Sequence, residues 1–472
     1  MSTTKNRLKH LIHCTSLFMI LTFFIISSSD IKTSNIGEQD KFHHFKLWAE
    51  YGTLGYIIWF SFRCLIILAL PHAVITFIGL TFFNTFHNEV ALKNSSLLTP
   101  LICIRIVTRG NYPELVRETV ARNMAKCVEL GVVNFIIEVV TDNPIGLPKH
   151  RQIREILVPA SYTPKSGALY KARALQFCLE DDVSILADGD YIVHLDEETI
   201  MTTNSVYGII NFIQDGKYDF GQGTITYANN TVINWITTLA DSKRVAEDIG
   251  RIRAQFNLFS KPVFGWKGSY MVAKVHAERD VSFDHGIRGS LTEDTSFGME
   301  AYKKDYKFTF IDGEMWERSP FTIWDYIQQR KRWIQGEFLV VNSPKITWRY
   351  KFWLALNFYA RITVPLCLLD AILNLIFPLP TLLWLNFLRS FVEAINFYMY
   401  IFGTFKSLSF YRLGFVKYSL CIGATVFIIP TLTQIMDSIS VLLAIFSEKK
   451  DFYIVNKNIK IHAKKIKTQK GE

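Results

Sequence analysis

Three short stretches of this chain carry side chains at spacings suited to chemistry. The first runs Gly189-Asp190-Tyr191-Ile192-Val193-His194-Leu195-Asp196-Glu197-Glu198-Thr199. An apolar run with strand character delivers three consecutive acids to its C-terminal end. Adjoining carboxylates repel one another and hold protons more tightly unless a cation neutralises them. A hard divalent ion, Mn2+ or Mg2+, held by one or two carboxylates and by diphosphate oxygens, does this. Asp196 and Glu198, an acidic-x-acidic pair, are therefore the expected metal-side residues. The competing explanation is a helix N-terminus, whose first turn also collects acids.

The second stretch, Leu291-Thr292-Glu293-Asp294, precedes a helical pattern over 295–304. Displacing a sugar from a nucleoside diphosphate needs a base for the acceptor hydroxyl's proton, and a carboxylate at a loop-to-helix junction can serve. Asp294 is the candidate; its alternative role is as a capping carboxylate beside Thr292 as N-cap. The third stretch is Gln328-Gln329-Arg330-Lys331-Arg332-Trp333. On a helix, Gln329, Arg332 and Trp333 share one face, placing a hydrogen-bonder, a cation and an aromatic platform where a departing diphosphate and an acceptor sugar would lie. A basic amphipathic helix on a membrane surface has the same pattern, and the two roles are compatible. Three weaker features complete the set. Asp142 follows a strand and is placed to accept hydrogen bonds from a nucleotide base. Lys165-Ser166-Gly167-Ala168-Leu169 reads either as a turn that brings Lys165 to the nucleotide or as a plain surface turn. Trp266 and Gly268, within Phe264-Gly265-Trp266-Lys267-Gly268-Ser269, suit an acceptor-side sugar subsite.

The elements that must position these residues lie between about 97 and 346. Short β-branched runs at 101–107 and 135–140 bracket a helical stretch over 113–130. Strands alternating with helices indicate right-handed βαβ units and a parallel sheet, and such sheets bind ligands at the carboxyl ends of their strands. Both flanks are apolar. Of 472 residues 49% are hydrophobic and 14% aromatic, and the 37 phenylalanines crowd the two ends. Two membrane helices are expected at about 11–29 and 56–83, the second with Arg63 snorkelling to an interface, and further apolar runs follow at 352–377, 380–403 and 415–446. Arg361, Asp370, Arg389 and Glu393 interrupt these runs, which implies helices packed on one another or facing a cavity. The last run, with Pro430 at its middle, reads as one long span or a hairpin.

The net charge of +10 does not indicate nucleic acid. Its excess flanks apolar segments, notably Lys449, Lys450, Lys457, Lys460, Lys464, Lys465, Lys467 and Lys470, as the positive-inside bias predicts for cytosolic segments. The seven cysteines are dispersed with no C-x-x-C pair, which argues against a disulfide framework and for a reducing compartment. The sequons at Asn94 and Asn229 then read as chance matches.

Taken in order, a strand ending in an acidic-x-acidic pair, then Thr292-Glu293-Asp294, then Gln329-Arg330-Lys331-Arg332-Trp333 resembles glycosyltransferase family 2, with Glu198 where the family has a second Asp. The stretches 191–199, Ile225-Thr226-Tyr227-Ala228-Asn229, Trp266-Lys267-Gly268-Ser269-Tyr270, Ser319-Pro320-Phe321-Thr322 and 328–333 further resemble the Egghead-type β-1,4-mannosyltransferases of invertebrates. That resemblance implies an α/β fold of GT-A type, Rossmann-like with a mostly parallel sheet, flanked by transmembrane helices. It implies inverting transfer of mannose from GDP-mannose to glucosylceramide in glycosphingolipid synthesis. Composition and spacing alone reach only a nucleotide sugar and an acceptor near the bilayer. The expected organisation is a membrane region at 1–92, a catalytic domain at 93–350 with an interfacial helix near its end, transmembrane helices at 351–447 and a basic cytosolic tail at 448–472. The catalytic domain is expected to face the cytosol from an endoplasmic reticulum or Golgi membrane. Two other readings share these features. A processive polysaccharide synthase, with Arg361 and Asp370 lining a path, differs in product length. A non-catalytic nucleotide-binding membrane protein differs in tolerating Asp294→Asn.

Overall fold

The computed structural model describes residues 2–28, 36–86, 89–229, 231–376, 382–448, 453 and 455–457. Among them, β1 (Ile102–Thr108), β2 (Phe135–Thr141), β3 (Ile153–Leu157), β4 (Tyr191–Asp196), β5 (Phe220–Thr226), β6 (Met271–Lys274) and β7 (Phe308–Trp316) form one sheet. Its order is β3-β2-β1-β4-β6-β5-β7. The central strands are buried almost throughout, which is why they read as continuous β-branched runs rather than alternating ones. β1 pairs in parallel with both β2 and β4, and the helix Pro113–Glu129 makes the crossover from β1 to β2. Pro113 opens that helix, where a missing N–H leaves nothing unbonded. β6 runs antiparallel between β4 and β5, and β7 returns parallel to β5. β4, β5 and β7 consequently end at the same edge as β1 and β2. The strand order reverses beside β1, between neighbours β2 and β4, and that is where a crevice forms in such sheets.

The apolar flanks are helical. Thr4–Ser28, Tyr51–Phe82 and Ile429–Phe446 are long and apolar enough to cross a membrane; Trp348–Ile362 and Val364–Ile376, bent by 45°, add a fourth if they form one span. The final run divides into Phe410–Phe427 and Ile429–Phe446, separated by the non-helical Ile428. Pro430 sits in the first turn of the second helix, where it costs no hydrogen bond. Phe410–Phe427 exposes Tyr411, Phe415, Val416 and Leu420. Leu383–Ser407, by contrast, is wedged between the N-terminal helix and the sheet domain. Tyr398 Oη lies 2.7 Å from His13 Nδ1. Gly403 meets the helix Trp235–Glu247 so closely that a Cβ would lie 1.8 Å from the Ser242 carbonyl oxygen.

Arg63 does not snorkel. It is 3% exposed and pairs with Asp370 Oδ2 at 3.3 Å while donating to Asn374. Asp370 also takes Arg389 at 3.3 Å, and Arg389 reaches Glu393 at 2.6 Å. Three of the four polar interruptions thus meet one another and Arg63, while Arg361 pairs with Glu337 at 2.9 Å, because an isolated charge there would be far costlier than a paired one. All seven cysteines are free thiols. Of the eight tail lysines, only Lys457 lies within the described residues, and it does not reach into solvent as a membrane-flanking lysine would.

Candidate active site

The carboxyl ends of β1, β2 and β4 open on a cavity of about 810 Å³ that continues between the apolar helices as far as Arg63 and Asp370. Asp196 closes β4 opposite Val107 and is 42% exposed, facing this cavity. The three acids do not open a helix. After Asp196 the chain makes a tight turn, with Thr199 N–H donating to the Asp196 carbonyl at 3.0 Å. The next helix, Thr203–Asp215, starts later with its own Thr202–Ser205 capping box. Glu197 turns toward β1, where Thr108 Oγ1 donates to it.

Cations from distant parts of the chain meet this edge. Lys171 Nζ lies 2.6 Å from Asp196 Oδ1 and 3.5 Å from Glu293 Oε1. Lys457 Nζ lies 3.0 Å from Glu197 Oε1 and also pairs with Glu198. Burial alone would raise the Asp196 carboxyl, but the Lys171 ammonium brings it below its usual range. Burial raises Glu198 to about 7, against Lys457 and with Glu197, Glu317 and Asp196 reinforcing it. Glu317, just beyond β7, accepts hydrogen bonds from Thr199 Oγ1 at 2.6 Å and Ser269 Oγ at 2.7 Å. It braces the turn that presents the acids, and burial holds its own carboxyl above the usual range.

Asp294 lies in the first turn of the helix Glu293–Lys303. Its Oδ1 accepts the Thr295 N–H at 2.7 Å. Thr292 holds the N-cap position but its hydroxyl makes no capping bond. Burial, then the neighbouring Glu293, raises the Asp294 carboxyl to about 7; the Thr295 N–H, Lys171 and Arg332 oppose that rise. A carboxylate with that proton affinity is a better base than an ordinary aspartate at neutral pH. The Asp294 carbonyl accepts the Trp266 indole N–H at 2.7 Å. Gly268 brings backbone against the acid, since a Cβ there would stand 3.2 Å from Asp294 Cβ. The helix Ile323–Val341 passes close enough to Thr292 that a Cβ on Gly336 would lie 2.4 Å from Thr292 Cγ2. That approach places Arg332 within electrostatic reach of Glu293, Asp294 and Asp196, all of which hold its proton on although burial lowers its pKa.

The model of glycosyl transferase family group 2 matches residues 191–435. The β-1,4-mannosyltransferase egh of Drosophila melanogaster is 49% identical over 453 residues, 96% of this chain and 98% of its own length. The chain belongs to glycosyl transferase family group 2. The β-1,4-mannosyltransferase bre-3 of Caenorhabditis elegans is similar too, 52% identical over 412 residues, 87% of this chain and 90% of its own. Mannosyltransferase PcManGT from Pyrobaculum calidifontis, solved in complex with GDP-Man and Mn2+, aligns with a TM-score of 0.48 at 12% identity, over 83% of this chain and 98% of that one.

In this glycosyltransferase the cavity wall brings together Asp142, Asp196, Glu198, Trp266, Gly268, Asp294, Gln329, Arg332 and Trp333 from the sites legible in sequence. Not all are placed as their residue types suggested. Asp142 stands at the rim in ion pairs with Arg173 at 3.1 Å and Arg109 at 3.8 Å. Trp266 is buried, stacked on Phe297 with centroids 5.8 Å apart, so it steadies Asp294 from the core. Trp333 is clasped by the guanidinium groups of Arg244 at 4.7 Å and Arg330 at 4.6 Å. Lys165 is exposed and outside the cavity wall. Its turn works differently: Asp284 Oδ1 accepts the Ala168 N–H at 3.1 Å and Ser290 Oγ accepts that of Leu169 at 2.8 Å. The pinned turn starts the helix Tyr170–Phe177, which carries Lys171 into the site. Glu317 was discoverable, as an acid one residue beyond a strand that ends at the ligand edge. Lys457 carried no local signal, lying 259 residues from its partner Glu198.

Proposed function

We propose that this glycosyltransferase moves mannose from GDP-mannose to glucosylceramide with inversion, forming the β-1,4 linkage of a glycosphingolipid core. The mannosyl and β-1,4 parts rest on the near full-length similarity to relatives named β-1,4-mannosyltransferases. The inverting part rests on one observation: Asp294, in the first turn of its helix and with its pKa raised to about 7, shares a cavity wall with Asp196. Asp294 takes the proton of the acceptor hydroxyl as its oxygen bonds to the anomeric carbon. The bond from that carbon to the diphosphate breaks, its electron pair leaves with GDP, and Arg332 meets the developing charge. One displacement needs no protein nucleophile.

Asp196 and Glu198 offer hard oxygen donors at the cavity wall, which fits Mn2+ or Mg2+. When bound, such an ion neutralises the sugar diphosphate. Gln329 Oε1 is buried without a hydrogen-bond partner among the described residues, and so is available to a bound sugar or phosphate-linked hydroxyl. In this reading 93–350 is the catalytic domain, facing the cytosol, and 1–92 and 351–447 hold it against an endoplasmic reticulum or Golgi bilayer, from which the lipid acceptor comes. Purified full-length protein, incubated with a panel of nucleotide sugars and glucosylceramide with and without divalent ions, tests the proposal. One added hexose from GDP-mannose alone supports it. Transfer from another donor overturns the donor, a ladder of products overturns single transfer in favour of processive synthesis, and activity untouched by chelator overturns the metal.

A further inference from the structure

Lys457 follows the last apolar helix, in a stretch whose composition suits a solvated basic flank, yet its side chain is only 18% exposed. Its ammonium sits between Glu197 and Glu198. The backbone beside it is held from the other end of the site. Tyr453 Oη donates to Asp325 Oδ1 at 2.7 Å, and the Asn456 N–H donates to the same oxygen at 3.4 Å. Asp325 is itself fixed by Thr322, whose Oγ1 accepts the Asp325 N–H at 2.9 Å and donates to Oδ2 at 2.6 Å. This anchors the tail residues on the first turn of the helix that carries Gln329 and Arg332. Ordering a lysine side chain and stripping its water are both unfavourable, so the placement has to be sustained by the two carboxylates.

We propose that Lys457 is a donor-site residue: it is the cation that Glu197 and Glu198 hold in the ligand-free enzyme, and it exchanges with the divalent ion that accompanies the sugar diphosphate. The inference rests on the metal-assisted transfer proposed above. An ammonium and a divalent ion cannot share the same carboxylate oxygens without strong repulsion, so the two compete. By linkage, whatever Lys457 takes from metal affinity, the metal takes from Lys457 docking. Lys171 pairs with Asp196 Oδ1 and with Glu293, so of the two metal-side acids it is Glu198 whose partner Lys457 exchanges. The tail thereby lowers the affinity of the empty site for free metal and favours arrival of ion and donor together.

The test uses full-length protein in nanodiscs and Mn2+ alone, with free Mn2+ followed by electron paramagnetic resonance. Lys457→Met should tighten Mn2+ binding at least about tenfold, a conservative fraction of the repulsion between charges at this range in a protein cleft. Lys457→Arg keeps the charge and should stay near wild type. Tyr453→Phe loosens the anchor and should fall between, and it serves as the second variant if Lys457→Met does not fold. Unchanged or weaker Mn2+ binding in Lys457→Met overturns the proposal. So does a wild type that transfers mannose while neither it nor Lys457→Met binds Mn2+. If Lys457→Met tightens Mn2+ but no nucleotide sugar is turned over, the exchange stands and the transfer reading falls.

Discussion

The proposed transfer concentrates its chemistry in one side chain, Asp294. Its substitution by Asn keeps shape and loses the base, so kcat should fall by about 10²- to 10⁴-fold while GDP-mannose binding, measured by calorimetry, persists. An intact kcat in that variant would assign the base elsewhere. The acid limb of activity follows from the same group. Asp294 must be ionised to accept a proton, and burial together with Glu293 raises its pKa to about 7, against Lys171 and Arg332. Turnover should therefore climb as pH rises through about 7, read from the pH dependence of kcat under saturating donor. An acid limb near pH 4 would mean that the carboxyl behaves as an exposed aspartate. At this scale the sequence marked the acids that the fold gathers on one cavity wall, because Asp196, Glu198 and Asp294 are chemically conspicuous at their spacing. It did not show which cations balance them. Lys171 stands six residues past Lys165, the lysine that the turn made conspicuous, and only the folded turn decides which of the two enters the site.

Among elements, the decisive contact is between the helices Glu293–Lys303 and Ile323–Val341. Gly336 permits it, since any side chain there must displace Thr292. Gly336→Val should separate Arg332 from Asp294 by a fraction of a helix radius and lower kcat about 10²-fold, the order expected for an ångström of misalignment. The thermal midpoint should change much less than activity; equal losses in both would make the contact structural only. Individual elements were well marked: the β-branched runs and the periodic stretch between them became β1, Pro113–Glu129 and β2 within a residue or two. The face shared by Gln329, Arg332 and Trp333 lies on one cavity wall, as helical spacing requires. What spacing could not convey is that Trp333 already holds two arginines, or that Trp266 supports Asp294 from within the core.

For the whole molecule, the buried ions between apolar helices are a second test. Asp370 pairs with both Arg63 and Arg389, so Asp370→Ala takes from Arg63 the carboxylate it pairs with and leaves Arg389 its pair with Glu393. Breaking a buried pair in this way costs about 3–5 kcal/mol, and a clear drop in thermal midpoint in detergent should follow; an unchanged midpoint would mean that water or lipid solvates the cluster. The sequence alone determined the division into apolar flanks and an α/β centre, the strand and helix types, and the acids that line the cavity. These depend on composition, on continuous β-branched runs and on the helical period of 3.6 residues, which are local properties. Tertiary structure alone decided that Arg63 pairs across 307 positions with Asp370, that Glu317 braces the acidic turn after β4, and that Lys457 returns from the tail to Glu198. The first and last are charges finding counter-charges and the second is a carboxylate finding hydroxyl donors; all depend on distance in space, which chain order does not encode.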